Sequence, residues 1–154
     1  MTVRRVDWRD ERGMVGGVEA IPFGLLVFVF GTLVVANAWA VIDAKGAVVS
    51  AAREATRTYV ESTDGTRALD DASTAARAAI AGHGRDPEKL RLDGPTGGAD
   101  LRRCAPVTFT ASYPVPAVAL PWIGGFGTGF TVRASSTQVV DPFRDGLPGE
   151  VDCG

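Results

Sequence analysis

The chain has one histidine, His83, and two cysteines, Cys104 and Cys153, among 154 residues. A zinc site needs three or four donors at close spacing, and one imidazole with two separated thiols does not make that set. The acids show no EF-hand spacing, and no nucleophile stands with a recognisable base. Gly13, Gly16 and Gly17 lack the strand that precedes a dinucleotide-binding turn, and Gly124-Gly125-Phe126-Gly127 precedes a strand pattern, whereas a phosphate loop opens a helix. Asp70-Asp71 reads as a solvated pair on a helix surface. With 16 Lys and Arg against 18 Asp and Glu, net charge is −2 and no basic patch is interleaved with aromatics. Nucleic acid is therefore not the expected partner. The expectation is a protein without catalysis, metal, cofactor or small-molecule substrate.

The most local absence is of charge. Residues 20–42, AIPFGLLVFVFGTLVVANAWAVI, run for about 23 positions without an ionisable side chain. As a helix they would extend roughly 34 Å, slightly more than the hydrocarbon core of a bilayer. Arg4, Arg5, Arg9 and Arg12 precede them and Asp43 and Lys45 follow. The positive-inside bias then puts the N-terminus in the cytoplasm and exports the C-terminal side, with Trp39 at the exit interface and Trp8 near the entry. Three parts follow: a basic cytoplasmic segment (1–19), a transmembrane helix (20–42) and an exported domain (43–154). Gly24, Gly31 and Ala38 recur at seven-residue spacing, and Gly16, Ala20 and Gly24 at four. Such stripes let helices approach closely in lipid, although glycine is also common in spanning helices generally. Glu19 has two readings: a first-turn carboxylate favoured by the helix dipole, or an acid pairing with a neighbouring subunit's amine or basic side chain. Pro22 fits an early helical position.

Three maturation routes are open. A cut after Ala38 or Ala40, both in A-x-A patterns, would release a soluble binding module, although the apolar run exceeds a signal-peptide core. A prepilin-type cut before the apolar run would leave the helix in place. No cut at all would leave a membrane-anchored accessory protein.

Beyond residue 42, helix formers continue. Val48, Ala52, Ala55 and Tyr59 share one face, so one helix over about 17–61 is expected, with Gly46 as a place to bend. Residues 62–66 supply turn and N-cap chemistry. A second helix presents Leu69, Ala72, Ala76, Ala79 and Ile80 and stops at Gly82-His83-Gly84, leaving His83 near the negative end of its dipole. Alternation then predicts strands over 89–93, broken by 94–98, over 105–113 and over 130–140, the last two antiparallel. The proline-containing but apolar stretch 114–127 should lie against the outer leaflet, a partner subunit or its own core. The tail from 141 reads as loop. In an oxidising compartment Cys104 and Cys153 have one possible pairing, closing a loop that could contribute roughly 4 kcal/mol; otherwise they are two free thiols. The fold class is α+β: a long N-terminal helix, transmembrane in its first half, a second helix, then a small antiparallel sheet.

Three stretches carry a family resemblance. Arg12-Gly13, then Val18-Glu19 and the apolar run, resemble the start of TadE-like minor pilins and pseudopilins of bacterial tight-adherence pilus systems, except that Glu19 stands one residue later from Gly13 than in that family. The run Ala51-Ala52-Arg53-Glu54-Ala55 resembles an AAREAAR-like stretch at the same place. The most specific match is TASYPVPAVALPWIGG, residues 110–125, similar to an SYPVP-like segment. The resemblance implies a pilin-like fold and other pilin-like subunits or Tad-type assembly proteins as partners. It also implies a role for Glu19 in subunit registration, and a Cys104–Cys153 bridge would resemble the disulfide-pinned C-terminal region of many pilins.

Overall fold

The computed structural model describes residues 15–97, 101–116, 119–120, 124–125 and 129–153. The architecture is α+β: helix α1 (Val15–Glu61), helix α2 (Ala68–Gly82), a 3-10 turn (Pro87–Lys89), then strands β1 (Arg91–Thr96), β2 (Pro106–Val115), β3 (Ala119–Leu120), β4 (Gly124–Gly125) and β5 (Phe130–Val139). The order β1-β2-β5 forms a three-stranded antiparallel sheet, and β3 pairs with β4 in a separate two-residue ladder. The chain divides into two compact units, Met1–Ala38 and Trp39–Gly154.

In the first unit, α1 begins at Val15, two residues before the expected start, so Pro22 lies inside the helix. It is not in the opening turn, where the missing N–H would be harmless. Inside a helix it withholds one backbone bond, a loss that apolar helices tolerate when neighbouring groups take up the freed carbonyl.

In the second unit, α1 continues unbroken through Gly46 and buries a stripe that repeats at three and four residues: Ala44, Ala47, Val48, Ala51, Ala52, Ala55 and Tyr59. Ala68, Ala72, Ala76 and Ile80 of α2 join the same core. Small side chains let backbones come close, which is why alanine dominates both stripes. The expected Leu69 is instead 47% exposed, and Ala68 takes its place. Ala68 stands four residues before Ala72, in phase with Ala76 and Ile80 on the buried stripe.

Ahead of α2, Asp64 accepts from the backbone N–H and hydroxyl of Thr66, and these bonds hold its carboxyl below the usual carboxylate range. The helical N-cap itself is Arg67, without a side-chain cap, so the expected capping residues shape the preceding turn. The other end closes as expected at a glycine: Gly84 has φ +68°, the Gly84 N–H reaches the Ala81 carbonyl and the Arg85 N–H reaches that of Ile80. Those two bonds are the Schellman pattern.

The sheet's inner face carries Val107, Phe109, Ala111, Tyr113 and Val115 from β2, all buried, as the alternation predicts. Phe109 is fully buried and meets Tyr59 edge-on at 5.4 Å between ring centres. The Thr56 hydroxyl on α1 donates to the carbonyls of Ala52 and Ser136, so its polar atom is satisfied inside the core. On the outer face, hydroxyls pair across strands: Thr108 with Thr137 at 2.8 Å and Thr110 with Ser135 at 2.9 Å. Two expectations fail here. Strand β1 runs on through Gly94-Pro95, its register shifting between Asp93 and Thr96, because a bulge absorbs what the sequence suggests is a break. Phe130, at the end of β5, is 60% exposed although its alternation assigns it to the core.

Candidate membrane anchor

The site begins with an apolar helix that the described residues leave uncovered. Among the described residues, none from 20 to 42 is buried. Ile21, Phe23, Phe28 and Phe30 are 71, 69, 71 and 67% exposed. A water-soluble fold does not leave so many large apolar side chains contiguous and bare. The helix is long and apolar enough to cross a membrane. Its polar side chains are turned on its own backbone: the Thr32 hydroxyl donates to the Phe28 carbonyl at 2.8 Å, and the Asn37 amide to the Leu33 carbonyl at 3.1 Å. Such i−4 bonds are what hydrocarbon demands of a polar group.

Gly24, Gly31 and Ala38 fall on one helix face, since seven residues turn the helix to within about 20° of two full turns. A Cβ placed on Gly24 or Gly31 would meet nothing within 4 Å. Nothing among the described residues therefore explains the small residues at those two places. Glu19 lies within α1, but its side chain is outside the described residues, as are Gly13 and the basic leader.

Within the second unit, an arginine ties the end of α2 to α1. Arg85, just past the α2 cap, donates to the Ala40 carbonyl at 3.3 Å and to the Asp43 carboxylate at 2.6 Å. Its guanidinium lies 5.7 Å above the Tyr113 ring. The Arg85 side chain is 18% exposed and its Nε has no partner among the described residues, so the attachment holds a largely desolvated cation. Nearby, the Lys45 ammonium donates to the Arg133 carbonyl on β5. His83, at the C-cap of α2, places Nε2 3.3 Å from the Ser50 hydroxyl. Among the described residues no group of three or more His, Cys, Asp or Glu is placed to hold a metal ion.

At the far end, Cys104 and Cys153 are bonded, their Cα atoms 5.2 Å apart. Cys104 adopts a left-handed φ of +61° just before β2. The tail is held by more than sulfur: Arg103 N–H reaches the Pro148 carbonyl, Arg103 Nε the Arg144 carbonyl, and Arg144 the Val60 carbonyl at the end of α1. Gly149 has φ +112° and sits so close to Arg103 that a Cβ would come within 3.2 Å of its backbone nitrogen. Sequence reading foresees neither Arg85 nor Arg144, because their partners stand 42 and 84 positions away. The stretch 114–127 is described only in part: Pro114 and Val115 end β2, and most of the remainder lies outside the described residues.

Compared with protein-family models, curated proteins and solved structures, the chain matches none.

Proposed function

We propose that this chain is a single-pass envelope protein of pilin-like form, with its N-terminus cytoplasmic and residues 43–154 outside. In this reading it is a TadE-like minor pilin or pseudopilin that contributes to assembly of a Tad-type pilus or secretion filament. The observation that carries the membrane part is the uncovered apolar helix, in which the Thr32 hydroxyl and the Asn37 amide donate to carbonyls of the helix's own backbone. The filament part rests on the sequence resemblance at 12–19, 51–55 and 110–125.

The mechanism is association without catalysis. The spanning helix meets other subunits through Gly24, Gly31 and Ala38, Glu19 sets register against a neighbour's amine or basic side chain, and the disulfide-tied domain is displayed outside. Small residues suit that contact because dispersion and backbone proximity, rather than apolar burial, drive helix pairing in lipid.

The mass and location of the mature chain test this. A form beginning near Met14 or Val15 and present in sheared filaments is the expected result, with Glu19→Ala inserted normally but incorporated less. An uncut chain confined to the membrane would favour an accessory anchor. A soluble chain beginning after Ala38 or Ala40 would favour a secreted module.

A further inference from the structure

We propose that the membrane-adjacent edge of the sheet is a binding site for the phosphate of an anionic phospholipid headgroup, built from Arg91, Ser112 and Arg133. The proposal rests on the spanning reading above. Arg91 on β1, Ser112 on β2 and Arg133 on β5 stand in one cross-strand row. Residues directly opposite in an antiparallel sheet project from the same face, so the three side chains share the outer face with the two arginines flanking the serine. The two outer strands are about 9–10 Å apart, a separation that two guanidinium groups bridge around one phosphodiester.

The row opens into a cleft of about 320 Å³ that also touches Tyr113, Pro114 and Thr131. Both arginines are exposed, and neither is in an ion pair among the described residues. Asp43 is taken by Arg85, and Asp93 sits one row farther along the face, opposite Thr110. Ser112 is 6% exposed, and among the described residues its hydroxyl reaches only the Arg91 carbonyl, at 3.5 Å. That leaves a weakly engaged donor at the floor of the cleft.

What makes the ligand a lipid, and not phosphate from solution, is where the edge is fastened. Lys45 donates to the carbonyl of Arg133, and Arg85, stacked on Tyr113 beside Ser112, holds Ala40 and Asp43. Trp39 to Ile42 are the end of the apolar run and belong to the same compact unit as the cleft. Lys45 stands three residues beyond Ile42, about 5 Å along the helix, which is headgroup depth once the run is in hydrocarbon. A third cation and the exposed ring of Phe130 at the same end of the sheet complete an edge suited to an anionic interface.

The test uses the full chain, extracted from bilayers containing equal phosphatidylcholine and phosphatidylglycerol and examined by native mass spectrometry for retained lipid. The wild type should retain phosphatidylglycerol preferentially, and Arg91→Gln with Arg133→Gln should lose about fivefold of that preference for each charge removed. Arg53→Gln, an exposed cation elsewhere on α1, should leave it unchanged. Equal preference in the double variant and wild type would overturn the proposal. So would displacement of the lipid by millimolar inorganic phosphate, which would mark a site for the free anion. Thermal unfolding of the double variant within a degree or two of wild type confirms that folding is not the cause. Carbonate washing separates the two readings: a chain that stays in the pellet yet shows no headgroup preference defeats this proposal alone, whereas a chain washed free defeats the anchor beneath it.

Discussion

Arg144, in the C-terminal tail, donates a hydrogen bond to the main-chain carbonyl of Val60, 84 residues earlier, in the last turn of α1. That turn has no basic residue of its own. The tail thus supplies from a distance the cation that a helix C-terminus favours. Arg144→Met should lower the unfolding free energy of the full chain in detergent by about 1–2 kcal/mol, the sum of a charged hydrogen bond and a dipole contact. Urea unfolding measures this, and a change below a few tenths would mean that the tail does not cap the helix.

The disulfide acts on the same tail by another route. Cys104 and Cys153 close a loop spanning 49 positions, which by chain-entropy reasoning contributes roughly 4 kcal/mol. Cys153→Ser should therefore lower the unfolding midpoint and abolish the mobility difference between reduced and non-reduced samples. Unchanged stability would show that the hydrogen bonds of Arg103 and Arg144 hold the tail without it.

Core and surface positions separate cleanly. Phe109, fully buried against Tyr59, should cost about 3–5 kcal/mol as Phe109→Ala. Leu69→Ala, at a half-exposed position, should cost under about 1 kcal/mol. Comparable losses would place Leu69 in the core after all.

Gly24 and Gly31 discriminate between folding and association. Since a Cβ at either meets nothing, Gly24→Leu and Gly31→Leu should leave insertion and the unfolding of the outer domain unchanged while lowering cross-linking between chains in bilayers. Unchanged cross-linking would remove this face from the contact.

The elements legible in the sequence are those whose periodicity is strong. The buried face of α1 follows the three-and-four spacing of Val48, Ala52, Ala55 and Tyr59, and β2 follows the alternation of Val107, Phe109, Ala111 and Tyr113. The choice between Ala68 and Leu69 was not legible, because adjacent apolar residues offer two helix phases and only close packing selects one. Gly94-Pro95 reads as a break and proves to lie within β1, since a bulge is a tertiary solution to a local obstacle. Of the site, the apolar run and the cysteine pair stand out in the sequence, while Arg85 and Arg144 carry no local signal because their partners are brought in by the fold.

The central claim is that residues 20–42 reside in a bilayer with the folded domain outside it. Carbonate washing of membranes, followed by protease added to the outer face of intact spheroplasts, tests it most directly. The account predicts that the chain stays in the membrane pellet and that protease shortens it from the outside, leaving a membrane-held N-terminal fragment that includes residues 20–42. Recovery of the intact chain in the carbonate supernatant would contradict it.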